Sequence, residues 1–405
     1  MYGEQLNKKS PSILVKTEED FRTLMNEVDA ATVISEDDPQ SVVIISDVDN
    51  EKKLFQITND NAENGDLVLI TKGQAWQPVI PSAIDSITAR ADLTCRLIAE
   101  LFNRKKKEEG VNLLNRGLLL KAELKKELST EKGKELPSCQ IVKRSGWVIG
   151  AMSNQWTHLP QSELAEVVLS EIRASFPDAE FVSATYTHEL TEFWVSLGNH
   201  QSEIMKQYRN GWVASGLPEE ALENVKPLIR VATSDTGQSG VVVTPILQDR
   251  KYNRVLGERL STKHAGKNSL EDVKKDLGQA FAKAQESLEK VAQLMATPIQ
   301  NPTAVMVRAL EAGKRSLWSL SHEACEDVLE HFTNLYRGAT GITAYDIYSC
   351  IGEMEYCDKV TNLKQNSAIQ IVEAIYRLIN LDWAKLDAPG KSYLGDGLKK
   401  KGGTK

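Results

Sequence analysis

Cysteine is scarce in this sequence and is never closely paired. The chain has 405 residues but only five cysteines, which are Cys95, Cys139, Cys325, Cys350 and Cys357. No Cys-x-x-Cys pair occurs among them, so the sequence indicates neither a disulfide framework nor a zinc site. We therefore expect reduced thiols and no bound metal.

Long apolar segments are absent as well. No uncharged apolar run reaches the roughly 18 residues that a membrane-spanning helix needs. The N-terminal residues, MYGEQ, lack the basic-then-apolar order of a secretory signal. These absences predict a cytoplasmic protein that does not enter a membrane.

Recognisable catalytic motifs are also missing. The six histidines are dispersed, and the sequence has no His-x-x-x-His pair, no Gly-x-Ser-x-Gly elbow and no phosphate-binding P-loop. The Asp-Thr-Gly triplet at 235–237 has the form of an aspartic-protease signature, but it lacks that family's flanking apolar residues and suits a tight turn. We expect no cofactor and favour a protein that is not an enzyme.

Charge is unevenly distributed along the chain. The 56 acidic and 49 basic residues give a formal charge of -7, which does not favour nucleic-acid binding through overall charge. Residues 16–66 hold fourteen acidic side chains against four basic ones, whereas residues 101–150 hold twelve basic against six acidic. A local basic face is therefore compatible with an acidic total.

The spacing of apolar residues predicts an α+β fold. Steps of three and four residues predict helices over 18–28, 160–176 and 270–295, and two helices joined near Gly110 within 81–128. β-Branched runs predict strands over 41–47, 53–57, 67–71 and 147–152, two strands within 180–197, and a hairpin of 228–233 with 241–247. The helix over 270–295 has a near-heptad pattern that could pack on a second subunit.

These patterns divide the chain into a small N-terminal α+β module, a central mixed β-sheet module with packed helices, and a C-terminal helical domain with one long helix. The predicted segments are an acidic α+β module at 1–80, a helical basic segment and linker at 81–137, a central β-rich module at 138–268, a helical domain at 269–388 and a disordered basic tail at 389–405.

A stripe of basic residues precedes the long helix. Eight cations against four carboxylates lie within 249–275, and cations on one face are what phosphate contacts require. Five aromatic residues of the central module could stack on unpaired bases: Trp147, Trp156, Tyr186, Trp194 and Trp212. The alternative interpretation is a solvated basic face with the tryptophans in the core.

The stripe gives the predicted nucleic-acid-binding residues. They are Arg250, Lys251, Arg254, Arg259, Lys263, His264 and Lys267, with Arg104, Lys105, Lys106 and Lys107 as a secondary basic patch. His264 and Lys267 should lie near the N-terminus of the long helix, where backbone amides favour an anion. The alternative there is that His264 bonds to a neighbouring carbonyl while Lys263 points to water.

Several separated motifs carry a resemblance to a known family. The motifs are KPLIRVATS at 226–234, GVVVTP at 240–245, RLSTKHAG at 259–266, ATP at 296–298 after the long helix, and RGATGITAYDIY at 337–348 with EY at 355–356. In this order, and over about residues 141 to 385, the chain resembles the phage/plasmid-like protein family of unknown function (DUF 932). The family's Cys-x-Asn after the strand is replaced by PILQD at 245–249. The resemblance implies a role in mobile-element DNA metabolism inside a bacterial host cell, and no assigned activity.

Two interpretations of function follow. The first is a non-enzymatic protein that binds single-stranded nucleic acid, as an annealing factor that forms homo-oligomers. The second is a phage or plasmid protein that binds other proteins or assembles with itself. Its basis is the opposite charge of the acidic N-terminal module and the basic segment 101–150, together with the near-heptad pattern of the long helix. An enzyme is the third interpretation, since no catalytic group has a partner visible in the sequence.

Overall fold

The chain folds as an α+β protein, as the sequence predicts. The computed structural model describes residues 2–45, 57, 59–73, 76–216, 218–234, 240–249, 252–255, 260–262, 269–316, 322–352, 375 and 377–388. Most of the predicted strand over 53–57, the Asp-Thr-Gly triplet and the C-terminal tail lie outside the described residues.

Helices and strands alternate along the first two thirds of the chain. The helices are α1 Gly3–Leu6, α2 Glu18–Ala31, α3 Ala83–Arg90, α4 Cys95–Asn103, α5 Lys107–Lys132, α6 Gln161–Ser175, α7 Lys206–Ala214, α8 Leu270–Met295, α9 Pro302–Ser316, α10 His322–Leu335, α11 Ala344–Gly352 and α12 Trp383–Asp387. The strands are β1 Ile13–Val15, β2 Thr32–Asp37, β3 Pro39–Ile44, β4 Leu67–Thr71, β5 Trp76–Val79, β6 Cys139–Arg144, β7 Trp147–Met152, β8 Glu180–Tyr186, β9 Thr191–Ser196, β10 Val225–Thr233, β11 Val241–Asp249, β12 Tyr252–Val255 and β13 Leu260–Thr262.

The first sheet has the strand order β1-β8-β9-β10-β11-β12, with β13 also paired to β11. Neighbouring strands are antiparallel, and the predicted hairpin is confirmed because β10 and β11 pair with Leu228 opposite Ile246. Helices α2, α6 and the first half of α8 bury apolar side chains against this sheet. The N-terminal strand β1 therefore belongs to the sheet of the central module.

The second sheet has the order β2-β6-β7-β5-β4-β3 and contains one parallel pair, β5 with β7. Its two edge strands, β2 and β3, are joined by the single residue Asp38. A one-residue connection requires the two edges to approach each other, so the sheet is strongly coiled at that corner. Strands β6 and β7 pair with β2 and β5, so the border of this sheet does not fall at residue 138.

The long helix α8 follows the sequence closely. It runs for 26 residues behind a capping box in which the Ser269 backbone N–H donates to Asp272 Oδ2 at 2.8 Å. Its near-heptad residues Val273, Leu277, Leu288 and Val291 are buried within the chain. This apolar face is therefore already covered and cannot pack on a second subunit.

The helical basic segment differs from its prediction. Three helices, not two, occupy residues 83–132, and Gly110 lies inside α5. A Cβ at Gly110 would lie 2.6 Å from the Phe102 ring, so this glycine permits close packing of α4 on α5 and does not break the helix. The linker begins further along the chain than the sequence predicts. Helix α5 extends to Lys132, and its C-cap is Gly133, whose φ is +63°.

Candidate functional site: a cationic groove along helix α5

The predicted basic stripe is only partly described by the structure. Arg254 lies in β12, paired opposite Leu247 of β11. Arg250, Lys251, Arg259, Lys263, His264 and Lys267 lie outside the described residues. Their role in nucleic-acid binding stays a prediction.

The predicted stacking platforms are wrong for four of the five aromatic residues. Trp147, Trp156, Tyr186 and Trp212 are at most 7% exposed, because they fill the hydrophobic cores. Trp194 is half-buried, donates from Nε1 to Glu192 at 2.9 Å and lies beneath the Arg230 guanidinium. The alternative interpretation, in which the tryptophans lie in the core, holds for Trp147, Trp156 and Trp212.

The secondary basic patch is largely neutralised by local contacts. Arg104 pairs with Glu100 and Lys106 with Glu109, while Lys107 donates to the Gly65 carbonyl. Burial and the neighbouring Lys9 lower the pKa of Lys107. Within the part of the chain that the structure describes, Lys105 alone of the four has no such partner, so this patch is a weak site for phosphate.

A groove opens further along the same helix. It has a volume of about 840 Å³ and lies between the C-terminal half of α5 and the corner where β2 meets β3. Six cationic side chains line it, together with the carboxylates of Asp38, Glu123 and Glu135; the cations are Lys72, Arg90, Lys121, Lys125, Lys126 and Lys134. This excess of three positive charges stands out in a chain whose formal charge is -7.

Helix α5 is fixed against the second sheet by apolar and polar contacts. Leu114 and Leu118 are buried in the core that this sheet shares with α3 and α4. The Asn115 side chain bridges edge strand β3, because its Oδ1 accepts from the Val42 N–H at 2.7 Å and its Nδ2 donates to the Val42 carbonyl at 2.8 Å. These bonds satisfy part of the free edge of β3, which no other strand of the described structure covers. The groove wall is therefore held in place.

Asp38 anchors the floor of the groove. It accepts hydrogen bonds from Lys125 Nζ, from the Cys139 N–H at 3.1 Å and from Ser138 Oγ at 3.3 Å. Burial raises the pKa of Asp38, but the bonds from Lys125 and Cys139 outweigh burial and hold it below its usual value. The carboxylate is thus charged and structurally engaged.

Cys139 lies beside this carboxylate and does not supply a nucleophile. Burial, and then the negative charge of Asp38, raise the pKa of the Cys139 thiol above its ordinary value. Cysteine reacts as the thiolate, so a raised pKa keeps it unreactive near neutral pH.

The cations of the groove differ in how far they are already paired. Lys125 pairs with Asp38, Lys72 with Glu135 and Lys121 with Asp92. Among the described residues, Arg90, Lys126 and Lys134 have no ion-pair partner. The Nε of Arg90 is buried and has no hydrogen-bond acceptor within the described structure.

Neither a metal site nor a membrane span emerges from the described residues. No group of three or more His, Cys, Asp and Glu side chains in that part of the chain could hold a metal ion. None of the helices there is long and apolar enough to cross a membrane.

Sequence reasoning missed the groove because its cations come from distant segments. Lys72 follows β4, Arg90 ends α3, and Lys121, Lys125 and Lys126 lie on α5. The basic excess over 101–150 includes α5, but its densest cluster, Arg104 to Lys107, lies at the opposite end of that helix from the groove. Lys72 and Arg90 reach the C-terminal half of α5 through the packing of α3, α5 and the second sheet in one core.

Comparison with known proteins adds no relative. No protein-family model, no curated protein and no solved structure matches this chain. The resemblance to the phage/plasmid-like family therefore rests on the sequence motifs alone.

Proposed function

We propose that this protein binds single-stranded nucleic acid without acting on it chemically, and that the phosphate backbone lies in the groove along α5. The observation that carries the proposal is the set of groove cations that have no ion-pair partner among the described residues, Arg90, Lys126 and Lys134. A phosphodiester in the groove would give these three cations an anionic partner. Binding would release counterions from the strand.

The shape of the groove favours a single strand over a duplex. A concave space of about 840 Å³ suits a short stretch of one strand, whereas a duplex presents a broad convex face. No aromatic side chain among the described residues lines the groove, so we expect no base stacking from them. We therefore expect affinity that depends strongly on salt and little on sequence.

The central test is fluorescence anisotropy with a labelled oligothymidylate over a salt series. We expect binding at low salt that weakens as salt rises. The double variant Lys126→Ala/Lys134→Ala should bind more weakly and lower the magnitude of the salt slope by about 1.4, which corresponds to two single-strand phosphate contacts at roughly 0.7 each.

A charge-matched variant controls for the change in net charge. Lys16 and Lys226 are exposed, lie outside the groove and have no ion-pair partner among the described residues. Lys16→Ala/Lys226→Ala should leave the salt slope unchanged. Absence of binding by the wild-type chain at low salt would contradict the proposal, as would equal losses in both double variants.

The predicted stripe is tested separately with Lys263→Ala. If the stripe also contacts phosphate, this variant should weaken binding to all sequences and lower the salt slope by about one contact, with thermal stability unchanged. The same affinity and slope as wild type would make Lys263 a solvated surface residue. That outcome would leave the groove proposal standing, because the two sites share no residue.

A further inference from the structure

Helix α5 carries exposed leucines on its outward face. Leu120 is 65% exposed and Leu124 is 46% exposed. At 3.6 residues per turn, these two side chains lie within about 40° of each other and about 200° to 240° around the helix from the buried Leu118. Leu120 and Leu124 form the apolar centre of an outward stripe on α5.

Charges of opposite sign flank this leucine pair. Arg116 lies one turn before Leu120, and Glu127 and Glu131 follow Leu124. All three side chains are exposed, and none has an ion-pair partner in the part of the chain that the structure describes. The outward stripe is therefore positive on one side of its apolar centre and negative on the other.

We propose that a second copy of this chain docks on this stripe, with the two α5 helices antiparallel about a two-fold axis near residue 122. Leu120 of each copy then packs against Leu124 of the other. Arg116 lies six residues before the axis and Glu127 five residues after it, about 9 Å and 8 Å along the helix. An antiparallel pair therefore brings Arg116 of one copy to Glu127 of the other.

The charge pattern selects this arrangement over a parallel one. Two parallel α5 helices in register would place Arg116 beside Arg116 and Glu127 beside Glu127, which is repulsive. A two-fold antiparallel contact uses one patch twice and closes after two copies. The inference does not depend on nucleic-acid binding, since Lys125 and the groove lie on the other side of the helix.

The oligomeric state of the full-length chain tests this proposal. Light scattering after size exclusion, with equilibrium sedimentation up to about 100 µM, should show a dimer for the wild type. Leu120→Glu/Leu124→Glu should give a monomer with an unchanged circular-dichroism spectrum. Leu335→Glu is the control, because Leu335 is 56% exposed on α10 and lies outside the stripe, and it should remain dimeric.

A charge exchange tests the orientation of the helices. Arg116→Glu alone should raise the dimer dissociation constant about tenfold, and Arg116→Glu/Glu127→Arg should restore it. A monomeric wild type would overturn the proposal, and so would a dimer that survives both leucine substitutions. A charge exchange that restores nothing would overturn the antiparallel pairing, because only that pairing places the two substituted residues together.

Discussion

At the scale of single residues, a buried polar chain connects the two sheets. Arg144 of β6 donates from Nε to Thr32 Oγ1 at 2.8 Å and from Nη1 to the Tyr186 hydroxyl at 3.0 Å. The Tyr186 oxygen lies 3.1 Å from Nδ1 of His188, whose Nε2 lies 2.9 Å from the Lys8 carbonyl. These contacts suit a neutral imidazole that donates from Nε2 and accepts at Nδ1.

His188 should make stability depend on pH. Burial, and then the positive charge of Arg144, lower the pKa of His188 from 6.5 to about 4. The unfolded chain takes up the proton below about pH 6.5 while the folded chain does not, so stability is lost as the pH falls from 6.5 to about 4. We expect a loss of about 3 kcal/mol over this window, measured by urea denaturation at several pH values.

Two histidine substitutions isolate this effect. His188→Gln removes the titrating group, so the unfolding free energy should fall less steeply between pH 6.5 and 4 than in the wild type. His331→Gln changes an exposed histidine and should retain the wild-type slope. Identical slopes for the wild type and His188→Gln would show that another group causes the dependence.

At the scale of elements, helices α7 and α8 meet at a glycine. A Cβ on Gly211 would lie 2.8 Å from the Ala292 Cβ and 2.9 Å from the Ala292 Cα. Neither atom belongs to a flexible side chain, so the two helices would have to separate. This close approach brings Tyr208 and Trp212 of α7 into the C-terminal core.

Gly211→Ala should destabilise the protein. Forcing extra volume into a packed contact costs about 1 to 3 kcal/mol, and this cost exceeds the gain of about 0.5 to 1 kcal/mol that alanine brings to a helix. Gly278→Ala is the matched control, because Gly278 lies in α8 with no atom within 4 Å of an added Cβ. Thermal denaturation should show a lower Tm for Gly211→Ala and an unchanged or higher Tm for Gly278→Ala.

At the scale of the whole molecule, strands that are distant in the sequence pair with each other in both sheets. Strand β1 pairs with β8, the next strand β2 pairs with β6, and β7 pairs with β5. A cut at residue 137 would therefore leave unpaired strand edges in both pieces. Each of these pairings joins a strand from the predicted module 1–80 to one from the predicted module 138–268, across the predicted segment 81–137.

Fragments test this interdependence. We expect neither residues 1–137 nor residues 138–405 to unfold cooperatively when expressed alone, since each piece lacks strands that the other supplies. Co-expression of the two pieces should restore one cooperative thermal transition by circular dichroism. Cooperative unfolding of 138–405 alone, at the Tm of the full chain, would show that the sequence-based border is a true domain boundary.

The sequence by itself determined the elements whose signals are local. Helices α2, α6 and α8 show apolar residues at steps of three and four, and α8 adds the Ser269 and Asp272 capping box. The hairpin of β10 and β11 follows from two β-branched runs that flank a turn sequence. Periodicity and capping depend on neighbours within a few residues, so these elements can be read without the tertiary structure.

Only the tertiary structure decided which faces are covered and which charges meet. The near-heptad face of α8 is buried within the chain, whereas the leucines of α5 remain exposed. Arg90 and Lys126 meet in one groove because α3 and α5 pack in the same core with the second sheet. Periodicity reports that a helix has an apolar face, but the partner of that face is set by long-range packing, which no local pattern encodes.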